Sequence, residues 1–319
     1  MATLEERLAR LRESGELALP LPGQGATALR HRALLRWGRE DLALARIAEA
    51  HTDALAILAE AGHRARDGAL YGIWAADGAA SRLSARRLGN ARWLLDGVKR
   101  FCSGASFLDA ALVTAHVGAG VLLFDVRLDD ARIRLQPSEW RTAALADTAT
   151  VTVEFTGLEV APAHQVAGPN WYLQRPGFWH GALGPAACWA GGSLCLIDAA
   201  SAHARDDPHS RAHLGAMQAI GWGLHAMLDQ AAREIDADPE DRRVEARVRA
   251  LKVRHLVERA STEVLDRFGR ATGPHLLAHD ETVARQFAAL ALYIRQCHAE
   301  RDLEKIPILV PSPMPTTRV

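Results

Sequence analysis

The spacing of apolar residues changes twice along the chain, and those two changes constrain the fold more than any single motif. From residue 3 to 62 the pattern is helical. "TLEERLARLRES" sets Leu4, Leu8 and Leu11 on one face, and "GREDLALARIAEAHTDALAILAEAG" continues an amphipathic repeat to a stop at Gly62. From about 69 the runs become short and β-branched or alternating: "GALYGIW", "ARWLLDGVKRFCSGA", "DAALVTAH", "GVLLFDVRL", "ARIRLQ" and "TATVTVEFTGLEV", separated by Gly, Asp and Asn. That is the signature of a compact antiparallel β unit, closed by Pro162 and the "GPN" at 168–170. After 176 four long helical segments follow, joined by short turns that carry Asp, Pro or Gly, the pattern of an antiparallel bundle. The expected class is α+β: an N-terminal helical domain over 1–66, a central β domain over 67–168, a four-helix bundle over 169–306 and an extended Pro-rich tail over 307–319.

Composition narrows the function. Thirty-eight basic residues balance 38 acidic ones and are scattered, so no phosphate-backbone footprint is present and nucleic acid is not an expected partner. No apolar run approaches the ~20 residues that span a bilayer, and no leader opens the chain; a cytoplasmic protein without membrane contact is the expectation. Four cysteines without a CxxC pair predict neither a disulfide framework nor a zinc site. Cys188 and Cys195, seven apart, share a helix face and read as a helix contact. Fourteen histidines include "HDE" at 279–281 and "HARDDPHSRAH" at 203–213, but none has the i, i+4 spacing with a third carboxylate that marks a metal centre. In the second stretch Asp207-Pro208 reads as a turn and Ser210 as a helix cap.

Several local stretches resemble the acyl-CoA dehydrogenase family, in that family's order. "WLLDGVKRFCSGASFLDAALVTA" is similar to its strand pattern "GY.LNG.K.WITNG..AD...V.A"; "GALGPAACWAGG" resembles its small-residue helix start; "MQAI" resembles "FQAI"; "DRFGRATG" is similar to its "Q.FGG.G" loop. The likeness covers most of residues 30–300 and implies an acyl-CoA dehydrogenase-like fold. It also implies an FAD whose ring lies against "YGIW", ending at Trp74, and "KRFCSG", carrying Phe101, Cys102 and Ser103. Phe101 would offer a ring face and Ser103 a hydroxyl to the ring edge, the kind of contact by which proteins tune flavin reactivity. Gly269, Arg270 and Gly273 would border the phosphates, with Arg270 supplying charge. The resemblance further implies a homodimer or homotetramer, an acyl thioester substrate and an electron acceptor.

The departures fall at the chemistry. Where the family has Thr or Ser before Glu-Pro, this chain has Trp74-Ala75-Ala76. Where it has Arg-x-x-Phe-Gly for the pyrophosphate, this chain reads "ARDDPHSRAHLGAMQAI", leaving Arg205 or Arg211 to substitute. The family's catalytic Glu, which takes the acyl α-proton, aligns with Cys297 in "YIRQCHAERD", and the minority position on the first bundle helix falls near Gly177 and Phe178. Neighbouring helical residues point roughly 100° apart, so Cys297 and His298 cannot face one target as a thiol and its base.

Three readings stay open. An acyl-thioester dehydrogenase could use a shifted base: Glu300, one helical turn on, His298, or a Cys297 thiolate. A flavin monooxygenase of the same fold needs no α-proton abstraction, with His180, His275 and His298 as candidate acids. A non-catalytic partner subunit needs none of this chemistry.

Overall fold

The computed structural model describes residues 2–78, 82–203 and 205–310. Helix α1 (Leu4–Glu13) starts at Thr3, whose hydroxyl accepts from the Glu6 N–H while the Glu6 carboxylate accepts from the Thr3 N–H. This reciprocal capping satisfies two donors the helix leaves open. Helices α2 (Thr27–Glu40) and α3 (Leu42–Glu60) meet at Asp41, which caps α3 by accepting from the N–H groups of Ala43 and Leu44.

Seven strands come next: β1 (Tyr71–Trp74), β2 (Leu83–Arg87), β3 (Trp93–Cys102), β4 (Ala110–Val117), β5 (Gly120–Arg127), β6 (Ile133–Leu135) and β7 (Val151–Val160). They form one sheet ordered β1-β4-β2-β3-β7-β6, with β5 beside β4. The sheet is mixed and not purely antiparallel, because β1 pairs with β4 in parallel, Tyr71 opposite Ala110, after the chain returns through β2 and β3. β2 carries the weak alternation Leu83-Ser84-Ala85, and its Arg86-Arg87 end hides the strand from a hydrophobicity reading.

The rest is helical: α4 (Trp171–Gln174), α5 (Pro176–Gly181), α6 (Leu183–Ala202), α7 (Pro208–Ala237), α8 (Ala246–Thr272), α9 (His275–His279), α10 (Glu281–Tyr293), α11 (Glu300–Leu303) and α12 (Ile306–Leu309). Residues 176–202 are long and apolar enough to cross a membrane by composition, yet 72% of that window is buried inside the protein, as for a core helix. α6 crosses α2 at glycines. A Cβ on Gly38 would lie 2.3 Å from the Cys188 carbonyl oxygen, and one on Gly191 would lie 2.1 Å from that of Leu35.

Four local expectations change. Asp207, not Ser210, caps α7, accepting from the N–H groups of His209 and Ser210, with Pro208 at the first helical position. α8 continues through "FGRAT", so Gly269 and Arg270 belong to a helical turn and not to a flexible loop; Gly273, at φ 66°, ends it. The last long helix stops at Tyr293; a 3-10 turn (Ile294–Gln296) leads to Cys297 in extended conformation and Ala299 at φ 46°. The start of the expected extended tail, 307–309, belongs to a helical turn (Ile306–Leu309), and residues 311–319 lie outside the described residues.

One apolar core unites α1, α2 and α3 with the bundle helices, a second fills the sheet, and a third lies between α3 (Ala54, Ile57, Leu58) and the strands (Tyr71, Ala110, Leu112, Leu123). α3 is therefore the element that both layers share.

Candidate active site

The end of β3 departs from regular pairing. Its register with β7 shifts between Lys99 and Cys102, and Phe101 sits at φ 59° with its ring 60% exposed. Such a bulge re-aims the side chains around it. Cys102 points into the sheet core, where burial pushes its thiol up to about 12. Trp74 is also buried and donates its indole N–H to the Ser103 carbonyl at 3.2 Å, so it braces the bulge from within and presents no face outward. The Ser103 hydroxyl meets Thr150 Oγ1 at 2.8 Å and accepts from Arg46 Nε at 3.1 Å.

Arg46 reaches there from α3. Its guanidinium lies 5.3 Å from the Tyr293 ring centroid, and Gln296, with its amide oxygen turned toward Arg46, accepts from both terminal nitrogens at 3.2 and 2.5 Å. Arg46 thus ties the β3 bulge to the turn that ends α10, a link between three elements that no single sequence window displays.

The break after that turn separates the three alternative candidates for the base. Cys297 is 8% exposed and burial raises its thiol, which leaves it a poor thiolate. His298 lies 3.6 Å from Asp302, a contact within the local α11 turn, and its side chain is largely exposed. Glu300 starts α11 and is exposed. Because the chain is not helical from 297 to 299, the one-turn argument that placed Glu300 on the Cys297 face does not hold. The other histidines also sit apart: His180 Nε2 faces the Pro239 carbonyl at 3.0 Å, and His275 packs on His279 with ring centroids 4.8 Å apart.

Carboxylates do enter this region, from α3. Three of its acids lie opposite three glycines of the α5–α6 segment: a Cβ on Gly184 would stand 2.5 Å from Glu49 Oε1, one on Gly181 2.6 Å from Asp53 Oδ1, and one on Gly177 would collide with Glu60 Oε2. The first two glycines leave the space their partners occupy. Glu60 is neutralised, by the buried Arg175 and by the Gly177 N–H at 3.2 Å. Among the described residues the carboxylates of Glu49 and Asp53 accept no hydrogen bond and form no ion pair, although Glu49 is only 9% exposed and Asp53 Oδ1 is fully buried. Burial, then the nearby Asp53, pushes the Glu49 carboxyl up to about 8. The neighbouring arginines are committed elsewhere: Arg30 to the Pro20 carbonyl and Thr52, Arg254 to the carbonyls of Ala182 and Gln296. Trp189 Nε1, also buried, has no partner among the described residues, and Tyr293 Oη lies beside Arg46 and Cys188. The sequence did hold a signal: Arg46, Glu49 and Asp53 recur at i, i+3, i+7, one face of an otherwise apolar helix.

At the far end of the bundle, Arg270 pairs with Asp266 at 2.9 Å on its own helix, and Arg205 donates to the Thr272 carbonyl. Arg211 pairs with Asp206, and Asp207 fills the N-terminus of α7. An exposed aromatic face at Phe101, with the Ser103 hydroxyl and the Arg46 guanidinium nearby, suits the oxygen- and nitrogen-rich edge of a flavin ring. The α7 terminus does not suit a pyrophosphate, because a carboxylate already accepts its free N–H groups. A separate cavity of about 830 Å³ lies between α1, the start of α3, α10 and the 143–149 loop, whose neighbours Thr148 and Thr150 hold Gly104 and Ser103. Of its three arginines Arg7 pairs with Glu40 and Asp41, Arg285 pairs with Asp147, and Arg10 donates to the Glu6 carbonyl.

No family profile matches the sequence, and no curated protein matches it. Solved structures do match in shape. The FMN-bound TdsC of Paenibacillus sp. A11-2 superposes with a TM-score of 0.82 at 16% identity, over 96% of this chain and 90% of that one. Methanesulfinate monooxygenase MsuC of Pseudomonas fluorescens gives 0.80 at 18%, over 98% and 92%. Butyryl-CoA dehydrogenase of Megasphaera elsdenii gives 0.75 at 14%, over 87% and 80%.

Proposed function

We propose that this chain, which has the acyl-CoA dehydrogenase fold, is a flavin-dependent monooxygenase that uses FMN and acts on a small organic substrate held between α3 and the α5–α6 segment. The observation that carries this reading is Cys297: the residue that aligns with a dehydrogenase's base is a buried, protonated thiol, Glu300 is exposed, and the buried Asp302 is paired with His298 and Lys305. The bound cofactor would supply the electrons that activate dioxygen. The protein's own share is to hold the ring edge with Ser103 and Arg46 and to keep water out with the apolar α6 face. Full FAD would need the α7 terminus that Asp207 closes, which favours the mononucleotide.

Acyl-thioester dehydrogenation remains the second reading, supported by Glu49 and Asp53. A carboxyl that titrates near 8 is mostly protonated at neutral pH and can give a proton, while its ionised fraction, about a tenth at pH 7, is a stronger base than an ordinary carboxylate. The purified protein is titrated with FMN and with FAD, following absorbance and fluorescence. Tighter FMN binding, with oxygen uptake when reduced FMN is supplied, is expected. Anaerobic bleaching of bound FAD by acyl-CoA would establish the dehydrogenase instead, and no binding of either flavin would sink both readings.

A further inference from the structure

Buried carboxylates are normally paired, and three turns along α3 even the exposed Glu60 has Arg175. On the same helix face Glu49 and Asp53 have nothing among the described residues, although leaving them unpaired opposes folding. The unpaired state is built. Gly184 and Gly181 clear the volume the two carboxylates occupy, and each nearby arginine is held by carbonyl, hydroxyl or amide groups and not by the acids. The unpartnered indole N–H of Trp189 leaves a buried donor in the neighbouring core. Unsatisfied acceptors and donors within one polar cluster mark a place where a ligand, and not the fold, completes the hydrogen bonding.

We propose that Glu49, held beside Asp53 on α3, is the proton-donating carboxyl of the reaction site, standing in from a different helix for the carboxylate absent at Cys297. Where the substrate develops an oxyanion, the Glu49 carboxyl gives its proton to that oxygen, leaving a hydroxyl and a carboxylate, and water restores the proton. The groups that set its titration come from every element packed around it: Arg30 on α2, Arg46 and Asp53 on α3, and Arg254 on α8 act on it directly, while Tyr172 on α4, Cys188 on α6 and Tyr293 on α10 share its buried surroundings. The proposal rests on the reading of this seam as the reaction site, but its test needs no flavin.

Infrared difference spectra of the full chain at pH 7 should show a protonated-carboxyl band that disappears in Glu49→Gln and titrates with a midpoint of about 8. In heavy water the band should shift within the mixing time, because a donor must exchange its proton with the site. Glu49→Gln should also unfold at a higher temperature than the wild type, since it removes an unpaired buried acid. Asp53→Asn should keep the band and move its midpoint down. A wild type without the band, a band that resists exchange, or a Glu49→Gln protein that melts lower would each overturn the proposal in favour of a structural ion pair with the arginines. The flavin titration reports separately: no flavin binding with the band intact removes the monooxygenase reading and leaves the proton-carrying Glu49.

Discussion

Cys297 shows how much a residue's meaning depends on the backbone beyond it. With His298 and Glu300 close by, it resembles a nucleophile or a displaced base, and on a continuous helix Glu300 would share its face. The 3-10 turn and the positive φ at Ala299 end the helix there, so Cys297 turns inward while His298 and Glu300 face solvent. A buried thiol whose ionisation is opposed by its surroundings reacts slowly. We therefore expect an aromatic disulfide reagent at pH 7.5 to leave Cys297 unmodified in the native protein and to label it rapidly in denaturant. Cys297→Ser should bind FMN as the wild type does. Fast native labelling, lost in that variant, would return the thiol to the chemistry.

At the scale of elements, the site is set by how closely α3 and α6 approach. Both α6 and the α5–α6 junction meet their neighbours through glycine, and at Gly191 an added methyl would fall on main-chain atoms that cannot move away: Leu35 O at 2.1 Å and Arg39 N at 2.7 Å. Gly191→Ala should therefore lower unfolding stability by about 1–3 kcal/mol, the usual cost of overpacking a core. Gly184→Ala meets only the Glu49 side chain, the far end of a movable group. It should cost less stability and instead push Glu49 aside, moving the titration of the carboxyl band. Chemical denaturation and the infrared titration together separate the two. Equal destabilisation with no spectral change would mean that Gly184 serves packing alone.

For the whole molecule, buried titratable groups give stability a predictable pH profile. Burial pushes His31 and His51 down to about 4, so both stay neutral in the fold. Unfolded, they take up protons as pH falls through about 6.5, so their contribution is complete above that value and is lost from there down through about 4. Glu49 acts in the opposite sense. Its folded value near 8 lies above the unfolded carboxylate range, so its contribution is present at low pH and is lost as pH rises toward 8, with a slope of up to about 1.4 kcal/mol per pH unit. Denaturant titrations at pH 5, 6.5 and 8 should place the wild-type maximum near 6.5, and Glu49→Gln should flatten the alkaline limb and steepen the acid one, where the two histidines then act unopposed. An unchanged alkaline limb in that variant would remove Glu49 from the account.

The sequence alone determined the architecture, because the change from period 3.6 to period 2 and back is a local property of side-chain spacing. It placed six of the seven strands and the long helices. It missed β2, whose arginines mask its alternation, and it extended the last helix through Cys297, where the break comes from backbone dihedrals. It also drew Trp74 and Cys102 toward a cofactor, whereas the sheet buries both. The groups of the proposed site that it did not single out are Arg46, Glu49 and Asp53. Their spacing marks one face of α3, but the segment they face lies some 130 residues further along the chain, at Gly181 and Gly184. Only the packing of α3 against α6 decided that an acid of the N-terminal helices, unpaired and enclosed, stands at the site.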